Sequence, residues 1–175
     1  FDGMVYGSAV RSRYPRARIK AIRTARARAL PGVLGVFTAQ DVPGAQRIGH
    51  LIPDWPVMVP VGEVTRFLGD AVALVAAETK AVLEEAKTLV EVDYEPLPGV
   101  FDPGQALLSG AGPVHPDRPN LLSEQRLVRG DAQGAIAKSK HVVTHTYRTP
   151  WTEHAFLEPE TAVARPWQGG VEIYS

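Results

Sequence analysis

Apolar and polar positions alternate from the first residues of the chain. Met4, Tyr6, Ser8 and Val10 fall on one side and Val5, Gly7 and Ala9 on the other, which predicts a largely buried strand. In "TARARALPGV", Thr24 supplies a helix N-cap, the Ala/Arg/Leu run favours continuation, and Pro31-Gly32 stops it. "VLGVFTAQD" reads as a second strand, closed by the turn "DVPG". Strand–helix–strand in this order suits a crossover between parallel strands.

Residues 41–63 break the pattern. Pro43, Pro53, Pro56 and Pro60 alternate with Gly44, Gly49 and Gly62, and no period survives. Such a stretch is too long for a plain connector and is expected to pack against another domain. Regularity returns with a turn at Gly69-Asp70 and an apolar strand from Ala71 to Ala76. A helix follows, capped by Thr79, with Val82, Ala86, Leu89 and Val90 on its inner face and Glu84 and Lys87 outside. "VEVDYEPLP" then reads as a strand with Val90, Val92 and Tyr94 on one face, ended by Pro96 and Pro98. This is a second strand–helix–strand unit.

From Gly99 to Asn120 the chain is rich in proline and glycine and reads as an exposed crossing. "GDAQGAIAKSK" predicts a short helix capped by Asp131. "HVVTHTYRTP" predicts a strand with Val143, His145 and Tyr147 on one face. "TAVARP" and "VEIYS" form a hairpin in which Gly169 or Gly170 takes positive φ. The chain starts at Phe1, close to a strand, and ends inside one, so it is expected to be a piece of a longer polypeptide.

Composition changes this picture little. With 175 residues, 45% hydrophobic and 22% charged, the chain is of ordinary globular type. No apolar run reaches the roughly 20 residues of a membrane span, and no export signal is evident, so the expected location is the cytoplasm. The absence of cysteine excludes disulfides, iron–sulfur ligation and thiolate zinc within these residues.

Charge is neutral in total but unevenly placed. Seven arginines (Arg11, Arg13, Arg16, Arg18, Arg23, Arg26, Arg28) and Lys20 stand between residues 3 and 40 without an acid. Nine acids stand between 63 and 102, against Arg66, Lys80 and Lys87. The basic stripe admits two readings: a polar face that meets an acidic neighbour, or a module that binds nucleic acid or another polyanion. The first is favoured, because no aromatic platform accompanies the stripe.

"TEHAFLEPETAVA" (152–164) concentrates Glu153, His154, Glu158 and Glu160. On a helix His154 and Glu158 would share a face at metal-ligand spacing, but Pro159 pushes Glu158 towards extended backbone. His50, His115, His141, His145 and His154 are scattered, and no nucleophile elbow, P-loop or dinucleotide fingerprint is present. No residue is assigned as catalytic, cofactor-binding or metal-ligating. The segment is expected to be a polar seam at a domain junction.

Six ordered motifs carry a resemblance: "GSAVRSRYPRARI", "ALPGVLGVFTAQDVPG", "TRFLGDAVALVAAET", "LVEVDYEPLPGVFDP", "RGDAQGAIAKSKHVV" and "EHAFLEPETAVA". Over nearly the whole chain they resemble the large subunit of the xanthine dehydrogenase/aldehyde oxidase family, the molybdenum hydroxylases. "LIPDWPVMV" and "NLLSEQRLVRGD" are most similar to the selenium-dependent xanthine dehydrogenase branch. The resemblance implies an α+β fold. It places an α/β hammerhead domain over 1–102, a connecting segment over 103–130 and the start of a molybdopterin-binding domain over 131–175. It implies a parent oxidoreductase that hydroxylates a purine, another heterocycle or an aldehyde with a molybdenum–pterin cofactor. [2Fe–2S] clusters and often FAD would lie on other domains or subunits, its partners along with the rest of the molybdopterin-binding domain. The family's metal-side glutamine falls just beyond Ser175, and its glutamate base much further on. This chain alone is therefore expected to be non-catalytic, with no chemical role for His154 or Glu158.

Overall fold

The computed structural model describes residues 2–157 and 160–175 and divides into two units, Phe1–Gln125 and Arg126–Ser175. The first unit holds strands β1 (Tyr6–Arg11), β2 (Ala17–Arg23), β3 (Val33–Phe37), β4 (Arg47–Ile48), β5 (Trp55–Pro56), β6 (Ala71–Ala77) and β7 (Glu91–Pro96). Its helices are α1 (Ala25–Arg28), α2 (Lys80–Leu89) and α3 (Pro103–Ala106). The second unit contains α4 (Ala132–Lys138), β8 (Val163–Trp167) and β9 (Gly170–Tyr174).

β6 is the pivot of the first unit. It is the central strand of a three-stranded sheet in the order β1–β6–β3 and runs antiparallel to both neighbours. Its sequence, AVALVAA, is short-chained and apolar on both faces, as a covered central strand requires. Val72, Ala73, Val75 and Ala77 are all fully buried. One core cluster joins Val75 and Val36 of the sheet to Ala27 of α1 and Leu83 and Ala86 of α2. A second, smaller one joins Ile19, Val59 and Val72.

This topology corrects the expectation of paired parallel strands. β1 and β3 share a direction and a sheet but never pair, because β6 lies between them. The helix α2 does not return the chain to that sheet at all. It delivers it to β7, which pairs antiparallel with β2 in a separate two-stranded sheet. Strand β2 is itself an addition to the expected elements. It alternates buried Ala17 and Ile19 with exposed Arg18 and Lys20, a clear period of two hidden inside the run of cations.

The proline-rich stretch also differs from expectation. It contains the small β4–β5 hairpin, and its end straps across the free side of β2 in the same unit. Ile19 N–H donates to Glu63 O at 3.0 Å, Gly62 N–H to Ile19 O at 2.8 Å and Thr65 N–H to Ala17 O at 2.8 Å. The long segment thus completes its own domain's hydrogen bonding.

Local signals are met at some positions and not at others. The Thr79 side chain accepts from Val82 N–H at 3.2 Å and starts α2, whose buried face is Leu83 and Ala86, with Val82 and Leu89 half-buried. Thr24 precedes α1 without capping it; its hydroxyl accepts from Arg28 Nε instead, at 3.1 Å. α3 is a further addition, in which Asp102 accepts from Gln105 N–H at 2.8 Å and Pro103 opens the helix. In the second unit Asp131 caps α4 by accepting from Gly134 N–H at 2.9 Å. Gln168 and Gly169, at φ 45° and 80°, make the tight turn between β8 and β9. The strand expected over residues 141–150 does not form: that segment has no ladder partner among the described residues, and Val143 is 91% exposed. Alternation fixes which way side chains point, but a strand also needs a neighbour to receive its backbone groups.

Candidate functional site

The basic stripe and the acidic stretch meet in the β2–β7 sheet. The register sets Arg18 opposite Glu95 and Arg23 opposite Glu91, and an irregularity between Ile19 and Ala21 shifts Ala21 opposite Asp93. Arg23 forks onto Asp93 with two bonds of 2.6 Å and reaches Glu91 with Nε at 3.3 Å. Arg26 donates to the other oxygen of Glu91 at 2.7 Å. Arg18 and Lys20 both approach Glu95, each at 3.8 Å.

These contacts move the ionisations apart. Hydrogen bonds from Arg26, then from Arg23, hold the Glu91 carboxyl below its ordinary value. The Arg23 fork does the same to Asp93. Asp93 first and Glu91 second hold the Arg23 guanidinium more firmly protonated. Four of the eight cations of the stripe, Arg18, Lys20, Arg23 and Arg26, are thus answered by acids of β7 within the chain. Arg11 and Arg16 instead donate to the carbonyls of Gly69 at 2.5 Å and Pro113 at 3.2 Å.

The "EHAFLEPE" segment brings no donor set together. Glu153, His154 and Glu160 are exposed, and Glu158 lies outside the described residues. His154 N–H donates to Glu153 Oε1 at 3.0 Å, and its ring stacks on Phe156 with centroids 5.6 Å apart and planes 3° from parallel. Among the described residues no three His, Asp or Glu side chains converge to hold a metal ion. Of the remaining histidines, His50, His141 and His145 are exposed, and His145 lies edge-on to Tyr147 at 4.9 Å.

Two polar clusters, one buried and one half-buried, carry no signal in the sequence. Thr65, fully buried, accepts from Ala17 N–H at 3.0 Å and donates to Tyr14 O at 3.1 Å. Beside it Ser12 donates to Tyr14 O at 2.7 Å, and Asp70 accepts from Arg66 N–H at 2.6 Å. They satisfy the turns that join the strap to β1 and β2, which is an architectural task. The other cluster surrounds His115, in a cavity of about 290 Å³ with Asp54, Trp55, Arg66 and Phe67. Arg118 pairs with Asp54 at 3.0 Å. His115 Nδ1 is shielded and has no partner among the described residues, although the ring as a whole is only half-buried. Burial first, then the charges of Arg66 and Arg118, depress its pKa and favour the neutral imidazole. Only proximity in space links these side chains, and nothing in their spacing along the chain signals it.

A molybdopterin would need a convergent set of donors for its metal and its phosphate. In the second unit the polar side chains make local contacts: Arg165 pairs with Glu172 across the hairpin at 2.5 Å, and Tyr174 donates to the same carboxylate at 2.8 Å. These contacts join near neighbours on one hairpin and bring no such set together.

Comparison with known proteins gives two successive matches. The family model for the aldehyde oxidase and xanthine dehydrogenase a/b hammerhead domain matches residues 1–98, and that for the molybdopterin cofactor-binding domain matches 114–175. A probable xanthine dehydrogenase subunit of Bacillus subtilis (strain 168) is 39% identical over all of this chain and 23% of its own length. The nicotinate dehydrogenase large molybdopterin subunit of Eubacterium barkeri is 35% identical over 94% of this chain and 38% of its own. The solved aldehyde oxidoreductase of Desulfovibrio gigas superposes with a TM-score of 0.72 at 32% identity, covering 79% of this chain and 16% of that one. The chain thus spans well under half the length of these relatives.

Proposed function

The chain belongs to the aldehyde oxidase and xanthine dehydrogenase family, and we propose that it is the hammerhead region, with the lead into the cofactor domain, of a molybdenum hydroxylase large subunit. The observation that carries this is the tandem of family matches, hammerhead first and molybdopterin-binding domain second, in the order found along one polypeptide. The parent protein is an oxidoreductase acting on a purine, another heterocycle or an aldehyde. The relatives' names, which range over xanthine, nicotinate and aldehydes, support that breadth.

Within the parent these residues do no chemistry. The hammerhead covers 1–102, a connection 103–130, and the molybdopterin-binding domain starts in 131–175. The partition of the structure after Gln125 supports a break inside that connection. The molybdenum–pterin is held by residues of the parent outside this chain, in the molybdopterin-binding domain that begins here. Iron–sulfur clusters, and often FAD, sit on other domains or subunits, since ligation by cysteine has no residue to use here. The complex resides in the cytoplasm. No described helix is long and apolar enough to cross a membrane.

The test compares the 175-residue chain with the longest natural polypeptide that contains it. Elemental analysis and fluorescence of oxidised pterin are expected to find molybdenum and pterin in the long form and neither in the short one. Cofactor bound at one equivalent by the short chain would refute the structural role. Its absence from both would remove the hydroxylase assignment.

A further inference from the structure

A second concave feature lies where the basic stripe begins, and it is independent of the hydroxylase reading. A cleft of about 330 Å³ is lined by Arg11, Arg13, Arg23 and Lys87 and by the acids Glu91 and Asp93, a formal excess of two positive charges. Both acids are already bound, by Arg23 and Arg26. Lys87 bonds both oxygens of Glu84 at 3.1 Å. Of the cationic residues that line the cleft, that leaves Arg11 and Arg13 with no carboxylate partner among the described residues.

Their placement is fixed by the backbone. Arg11 ends β1, Ser12 is buried behind it, and Arg13 follows in the bend; both arginines line the cleft. One Arg11 nitrogen is anchored on Gly69 O, which holds that guanidinium in place and leaves its other donors free. We propose that this cleft binds a phosphoryl dianion, gripped by Arg11 and Arg13. A carboxylate is filled by one bidentate guanidinium, whereas a tetrahedral oxyanion has enough oxygens for two forks. Glu91 and Asp93 line the same cleft but are already held by Arg23 and Arg26, so the charge left to receive an anion is that of Arg11 and Arg13.

The proposal is tested by titrating inorganic phosphate, adenosine monophosphate and acetate into the full chain at constant ionic strength. Side-chain Nε–Hε signals of the arginines are followed by ¹⁵N correlation spectra. Saturable shifts at Arg11 and Arg13 are expected with both phosphates and not with acetate. Tighter binding of the nucleotide would identify a phosphoryl group carried on a larger molecule, and equal binding a free phosphate; either supports the site. Arg13→Gln, which breaks no contact among the described residues, should weaken binding roughly tenfold or more, as loss of a charge-assisted hydrogen bond does. Lys20→Gln, on the opposite-strand seam, should change it less than about twofold. Shifts that never saturate, that spread evenly over Arg18 and Arg26, or that persist unchanged in Arg13→Gln would overturn the proposal.

Discussion

The first unit has a core and the second, among its described residues, has none. Every buried residue among those described lies between Ser12 and Val90 of the first unit; none lies in 126–175. Ile19 and Ile173 are the same residue on comparable strands, yet Ile19 is 0% exposed and Ile173 64%. The contrast separates what local sequence can do from what it cannot. A cap and a tight turn are enough to specify α4 and the β8–β9 hairpin. Burial needs a second layer, which in the first unit comes from strands and helices distant in sequence. In 126–175 Val143, Trp151 and Leu157 are each more than 90% exposed.

The largest expected effect tests this directly. Ile19→Ala should destabilise the first unit by about 3 kcal/mol, through lost burial and the cavity left between Val59 and Val72. Ile173→Ala should change the unfolding free energy by no more than about 0.5 kcal/mol. Urea denaturation followed by circular dichroism measures both. Equal losses would mean that 126–175 has a core in solution, and the contrast would fail.

A hydroxyl gives the next step down. Thr65→Val keeps the shape but strips the partner from the buried Ala17 N–H, for an expected loss of about 2 kcal/mol. Ser139→Ala in the second unit removes an exposed bond to Ala135 O and should lie within about 0.5 kcal/mol of the parent. Helix caps follow. Thr79→Ala should cost about 1 kcal/mol in the same denaturation experiment. Asp131→Ala should lower helical signal without moving the first unit's midpoint, since α4 buries no residue.

The α+β hammerhead was legible in the order of motifs, and the elements with strong local signals were legible in their residues. Thr79, the Ala71–Ala76 run and the positive φ of Gly169 stand where the pattern puts them, whereas that of Gln168 has no signal in the sequence. Strand β2 was not, because Arg18, Lys20 and Arg23 present themselves as a run of charge while only Ala17 and Ile19 mark the alternation. Sheet pairing was not legible either: Arg23 and Asp93 stand 70 residues apart, and no periodicity reports which distant strand receives which. His115 is one scattered histidine in the sequence, since its environment is assembled by the fold. The failed strand over 141–150 shows the converse, a sound period without a partner.

The smallest effect concerns the seam itself. Asp93 and Glu91 are held below their ordinary carboxyl values in the native state by Arg23 and Arg26. On acidification the unfolded chain therefore takes up protons first. The stabilisation from these pairs is fully present above the unfolded values, about 4 for both, and disappears as pH falls through the depressed native ones. Arg23→Gln removes the fork on Asp93 and one bond to Glu91, so its stability should fall less steeply on acidification below about pH 5 than that of the parent chain. Arg26→Gln, which touches Glu91 alone, should flatten the curve less. Because these groups are solvent-exposed, the differences should be small at neutral pH and shrink further in high salt. Arg165→Gln supplies the matching change in the second unit, where the pair with Glu172 ties only the two strands of one hairpin. It should leave the first unit's acid unfolding unchanged. Parallel acid curves for the parent and Arg23→Gln would show that the β2–β7 pairs, despite their geometry, do not contribute to stability.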